Sequence, residues 1–164
     1  MRLQEHVPLA PLTTFGVGGE ARFFAEARTV EDVGEALEFV RSRALPLCVL
    51  GGGSNVVAAD GGFDGLVLAM RISGISAEDR EGRTLVTVGS GVVWDDFVVW
   101  TIEHGLAGRE CLSGVPGKVG GGVVANLGAY GAQCSDTFAY AEVVDTHDKT
   151  SGLKVFKKEQ CEFS

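Results

Sequence analysis

Leu47-Cys48-Val49-Leu50-Gly51-Gly52-Gly53-Ser54-Asn55 runs a short apolar segment directly into three consecutive glycines and two small polar residues. Its length, its apolar content and the preceding Pro46 predict a buried strand over 47–50. The glycine stretch after the strand has two readings. Three glycines let successive backbone N–H groups converge on an anion with no side chain in the way, and Ser54 and Asn55 add short donors, so the stretch would make a diphosphate cradle. The plainer reading is a glycine turn after a strand. Upstream, Ala21 to Ala27 reads as a short strand carrying the adjacent aromatics Phe23 and Phe24. Thr29-x-x-Asp32 reads as a capping box, and Val30, Val33, Leu37 and Val40 as the apolar stripe of the helix it starts. This β-α-β opening predicts mixed α and β structure in one or two small subdomains.

Downstream, Leu66 to Met70 reads as a strand, Ala77 to Arg83 as a polar turn, and Leu85 to Val88 as another strand. A boundary between subdomains is expected near Ala69 to Ser76. Val93, Phe97, Trp100 and His104 share one face of a second helix, with Asp95 and Asp96 in its first turn and Gly105 at its end. Tyr140 to Asp145 and Leu153 to Phe156 read as a terminal hairpin around Lys149 to Gly152.

A second glycine-dense run lies between these elements: Leu112-Ser113-Gly114-Val115-Pro116-Gly117-Lys118-Val119-Gly120-Gly121-Gly122, continuing through Val123-Val124-Ala125-Asn126-Leu127-Gly128-Ala129-Tyr130-Gly131. Each glycine inside a helix or strand costs about 0.5–1 kcal/mol relative to alanine, so the run is not expected to form a regular element unless something compensates. Close packing of bare backbone against a flat cofactor is one compensation, with Asn126 and Tyr130 as polar and aromatic contacts. The other is a crossover packed against the protein's own sheet.

Composition narrows the function classes. The chain has 164 residues, 45% of them apolar, enough for one core or two small ones. A net charge of -8 argues against nucleic acid or an anionic membrane surface as the main partner, because both select basic faces. No apolar run approaches the roughly 20 residues of a membrane span. Met1 to Ala10 has no export-signal pattern, so the cytoplasm is the expected location. Cys48, Cys111, Cys134 and Cys161 form no Cys-x-x-Cys pair and are expected to be free thiols, mostly buried.

Several motifs fail in context. Gly16-x-Gly18-x-x-Ala21 matches a Rossmann fingerprint as a string, but no apolar strand precedes it and no helix comes after it. Gly117-Lys118 resembles the end of a P-loop, yet Val119 stands where a magnesium-binding hydroxyl belongs. His6, His104 and His147 have unrelated contexts, and His104 suits a helix end better than a base. Asp95 and Asp96 point to different faces and read as a solvated surface; Cys111 has no nearby histidine to activate it.

Thr13-Thr14-Phe15-Gly16-Val17-Gly18-Gly19, Leu50 to Asn55, Ser113 to Gly117 and Asn126 to Gly131 occur in an order and spacing that resemble the UDP-N-acetylenolpyruvoylglucosamine reductase family. Gly-Gly-Gly-Ser-Asn alone indicates only the wider vanillyl-alcohol-oxidase superfamily, whereas the Ser-Gly-Val-Pro-Gly and Asn-Leu-Gly-Ala-Tyr-Gly pair is far more specific. The resemblance implies an α+β, vanillyl-alcohol-oxidase/PCMH-type FAD-binding fold of two α+β subdomains, 1–70 and 71–164, with the substrate domain missing. It implies that Leu50, Gly51, Gly52, Gly53, Ser54 and Asn55 wrap the FAD diphosphate. Ser113, Gly114, Val115, Pro116, Gly117, Gly120, Asn126, Gly128, Ala129, Tyr130 and Gly131 would line the rest of the flavin. The family reduces the enolpyruvyl ether of a UDP-sugar with NADPH as co-substrate. Val92 and Ala125 depart from the family pattern: some relatives carry an acid at the first position, and an amide is common at the second. Cys161-Glu162-Phe163-Ser164 resembles the approach to a Tyr-Arg-x-Ser segment, so the catalytic arginine, serine and glutamate are expected beyond Ser164, and this chain alone is expected to be inactive. A stand-alone flavin-binding module and a fragment of a related FAD oxidase are the alternatives.

Overall fold

The computed structural model describes residues 1–146 and 152–163. Its first half is a four-stranded sheet in the order β1-β2-β4-β3, made of β1 (Leu3–Pro8), β2 (Glu20–Ala27), β3 (Leu47–Leu50) and β4 (Phe63–Met70). β1 runs antiparallel to β2, whereas β2 and β3 both flank β4 in parallel. β4 is also covered on both faces of the sheet, which is why Leu66 to Ala69 is an unbroken apolar run rather than an alternating one.

Each face has its own core. Leu66 and Leu68 join Ala25, Ala27, Ala36 and Val40 under α1 (Val30–Arg43), while Val67 and Ala69 join Leu9, Ala21, Phe24 and Leu50 on the opposite face. The adjacent aromatics divide in the same way: Phe23 meets Phe39 of α1 edge-on at 5.2 Å, and Phe24 points away. α1 starts at the expected capping box, in which Asp32 N–H donates to Thr29 Oγ1 at 3.2 Å and Thr29 N–H to Asp32 Oδ2 at 3.1 Å.

The second half packs around Trp94, Phe97, Val98, Leu112, Val119 and Cys134. It holds a hairpin of β5 (Ile75–Arg80) and β6 (Arg83–Val88), then α2 (Trp94–Glu103), α3 (Val119–Val124), a small hairpin of β7 (Gly128–Ala129) and β8 (Ala132–Gln133), and the antiparallel pair β9 (Tyr140–Val144) and β10 (Leu153–Lys157).

Several expectations need correction. Ala77 to Arg80 is strand, and the turn is only Glu81-Gly82; the charged residues there are solvated on a two-stranded ribbon, so no alternation marks them. α2 buries Trp94, Phe97, Val98 and Thr101, leaving Val93 exposed, a rotation of about one residue from the expected face. The glycine run does contain a helix, α3. Of the free thiols only Cys134 is buried, and Cys111 is exposed. The expected terminal hairpin exists as β9 and β10, but residues 147–151 of its connection lie outside the described residues.

Candidate functional site

β3 delivers the first glycine loop to the carboxyl end of the sheet, the end at which parallel sheets bind ligands. The three glycines there do different things. Gly53 has φ +71°, and a Cβ on it would lie 2.1 Å from the Leu12 carbonyl oxygen. Its own carbonyl accepts from Thr14 N–H at 3.0 Å, so the 13–19 segment is welded to this loop. A Cβ on Gly52 would lie 3.0 Å from Gly117 Cα. A Cβ on Gly51 would meet nothing within 4 Å among the described residues.

The donors of this loop are unspent. Among the described residues, the backbone N–H groups of Gly52, Gly53, Ser54 and Asn55 donate to no protein acceptor. The strand expected to be buried is the edge of the sheet, pairing on one side with β4, so Val49 is exposed and Leu50 is its one buried residue. Four successive amides without partners at its end are a site for water or for a ligand's acceptors.

The second glycine run comes alongside. Ser54 Oγ donates to the Pro116 carbonyl at 3.4 Å, and Lys118 Nζ donates to the carbonyls of Met70 at 3.3 Å and Gly91 at 3.0 Å. The Ser54 bond joins the two glycine loops, and the Lys118–Met70 bond ties the second run to the end of β4. Burial, with Arg71 nearby, pushes the Lys118 ammonium below its usual range, consistent with a tether rather than a free cation.

Within this run, Gly120 and Gly122 are filled by the protein itself. A Cβ on Gly120 would lie 2.8 Å from Ser90 Cβ, and one on Gly122 would lie 2.8 Å from the Trp94 ring. Gly114, Gly121 and Gly131 meet nothing within 4 Å among the described residues. Asn126, at φ 40°, accepts from Ser135 N–H through Oδ1 at 3.0 Å, so its amide oxygen serves the fold. Tyr130 stands 89% exposed at the tip of the β7–β8 hairpin. Val115 is half-buried, Pro116 is exposed at the Ser54 contact, and Gly128 and Ala129 form β7 itself.

Two residues that hold the site escape the sequence reading. Trp94 donates its backbone N–H to Gly117 O at 3.0 Å and its indole N–H to Leu112 O at 3.0 Å. Asp95, expected on a solvated face, accepts through Oδ1 from Ser113 Oγ at 2.8 Å and Gly114 N–H at 2.7 Å. Those bonds hold its carboxyl below the usual aspartate range, Gly114 contributing most. His104 sits at the end of α2 with Nδ1 2.8 Å from Trp100 O, the helix-end role expected of it. Among the described residues no His, Cys, Asp and Glu cluster could hold a metal, and no helix is long and apolar enough to cross a membrane.

Known proteins resemble the chain along nearly its whole length. Residues 21–150 match a family model described as FAD binding domain. UDP-N-acetylenolpyruvoylglucosamine reductase of Cutibacterium acnes is 46% identical over 97% of this chain and 42% of its own length. The Pseudomonas aeruginosa protein of that name is 43% identical over 99% of this chain and 48% of its own. The chain thus spans about half the length of the curated relatives it matches. The crystal structure of the Thermus caldophilus reductase superposes with a TM-score of 0.76 at 29% identity, covering 97% of this chain and 53% of that one. A 6-hydroxy-D-nicotine oxidase from Arthrobacter nicotinovorans superposes with a TM-score of 0.65 at 18% identity, over 96% of this chain and 33% of that one, a likeness of fold alone.

Proposed function

Because the chain belongs to the FAD binding domain family, we propose that it is the flavin-binding part of a UDP-N-acetylenolpyruvoylglucosamine reductase. The observation that carries the reading is the run of amides from Gly52 to Asn55, unpaired among the described residues, beside Gly51, where a side chain would meet none of those residues within 4 Å. An FAD diphosphate has the acceptors such a run lacks. Leu50 to Asn55 would hold it, and Ser113 to Gly117, Gly120, Asn126 and Gly128 to Gly131 would line the remaining length. The division into 1–70 and 71–164 belongs to the same proposal. Its support is that the two cores of the first half contain no residue beyond Met70 and the core of the second none before Ile75.

When bound, the flavin would supply hydride transfer, from NADPH to the enolpyruvyl double bond of the UDP-sugar. This chain's residues bind and orient: bare backbone at 51–53 permits close approach, and the Ser54 hydroxyl ties that approach to the second loop. The chain alone is expected to bind without turnover. The cytoplasm is the proposed location.

Titrating the purified chain with FAD, followed by flavin fluorescence and the visible spectrum, tests the reading. A yellow, saturable complex is expected, and a folded chain that rejects FAD overturns it. Sequencing past the Ser164 codon in every frame tests the reductase assignment separately. A Tyr-Arg-x-Ser segment is expected, and its absence removes that assignment while leaving flavin binding intact.

A further inference from the structure

We propose that Asp95 is a positioning residue for the bound flavin, holding the Ser113-Gly114 turn in the shape in which the second loop meets the cofactor. This rests on the flavin-binding reading above. A single carboxylate oxygen, Oδ1, accepts both the Ser113 hydroxyl at 2.8 Å and the Gly114 amide at 2.7 Å. Charge-assisted bonds of this length are roughly twice as strong as neutral ones. Asp95 comes directly after Trp94, which is completely buried and fixes the same loop at Leu112, Gly117 and Gly122.

The two neighbours divide the work. Trp94 anchors the loop to the core, with the Arg109 guanidinium stacked 5.5 Å from its ring, so its loss would damage the fold itself. Asp95 is only half-buried and contributes no surface to that core. It orders the stretch where Gly114 stands open, with nothing within 4 Å of a would-be Cβ among the described residues. The carboxylate therefore acts on the loop's exposed side, where the flavin would lie. Asp96, next along the helix, is exposed and makes no such bonds among the described residues, so it is the matched control.

The test compares FAD titrations and visible circular dichroism of the 164-residue chain as wild type, Asp95→Ala, Asp95→Asn, Ser113→Ala and Asp96→Asn. Asp95→Ala should weaken FAD binding on the order of ten- to a hundredfold and change the dichroism of the bound flavin. Asp95→Asn, which keeps an acceptor oxygen in place, should recover most of both signals; Ser113→Ala should lose an intermediate amount; Asp96→Asn should match wild type. Wild type and Asp95→Ala binding FAD alike, with the same dichroism, overturns the inference alone. A folded wild type that binds no FAD overturns the flavin-binding reading and this inference together. If Asp95→Ala unfolds, Asp95→Asn and Ser113→Ala decide: unchanged affinity in both overturns the inference, and graded loss sustains it.

Discussion

The loop after β3 and the run after α2 are both built on consecutive glycines, yet they are held in different ways. The first is pinned from outside by main chain: Leu12 crowds Gly53, Thr14 bonds its carbonyl, and Gly117 abuts Gly52. The second is pinned by side chains as well, the Trp94 indole and the Asp95 carboxylate, besides main-chain bonds such as Trp94 N–H to Gly117 O and Gly120 N–H to Ser90 O. In both, some glycines are bare because the protein fills the space and others because the space is open. A glycine count is therefore not a measure of how much ligand a loop can touch. Among the described residues, open space stands where a side chain would be at Gly51 in the first loop and at Gly114, Gly121 and Gly131 in the second.

Substitutions at single glycines can break this contrast, beginning with the most damaging. Gly53→Ala combines a left-handed backbone with a Cβ 2.1 Å from a carbonyl oxygen, and should cost at least about 3 kcal/mol in urea denaturation. A variant as stable as wild type would mean that Leu12 does not crowd this site. Gly122→Ala presses a methyl group into the Trp94 ring and should cost about 1–3 kcal/mol, seen as a lower melting temperature. Its neighbour Gly121→Ala, in the same helix with no obstruction, should instead stabilise the free chain by about 0.5–1 kcal/mol, because alanine loses less backbone entropy in a helix. Opposite signs at adjacent residues are the sharpest sign that packing, rather than helix propensity, decides α3.

The smallest stability change is expected at Gly51. Gly51→Ala should leave denaturation within about 0.5 kcal/mol of wild type, the usual range for unobstructed surface changes, while isothermal titration shows FAD binding strongly weakened. Were affinity preserved, the open space beside Gly51 would not be where the diphosphate lies.

How much of this is legible in the sequence varies with the range of the forces involved. The extent of β3 and the start of α1 can be read directly, because a short apolar run and a Thr29-Asp32 box are local signals, whereas the edge position that exposes Val49 cannot. The face of α2 cannot, since Val93, Trp94, Val98, Val99 and Ile102 make it apolar on several sides and periodicity selects none. β1 escapes a pattern-based reading because Gln4, Glu5 and His6 break any apolar run, although pairing with β2 supplies its backbone partners. Asp95 looks solvated because its partners Ser113 and Gly114 lie 18 and 19 residues away.

By itself, then, the sequence determined where the chain is free of side chains, where it is capped and where it is apolar, all properties of neighbouring residues. The tertiary structure alone decided which bare positions are filled by Leu12, Ser90 or Trp94 and which stay open, and that two consecutive residues on α2 hold the second loop. The reason is physical: the space around a glycine belongs to whatever docks beside it, and the residues docked at these loops are remote in the chain.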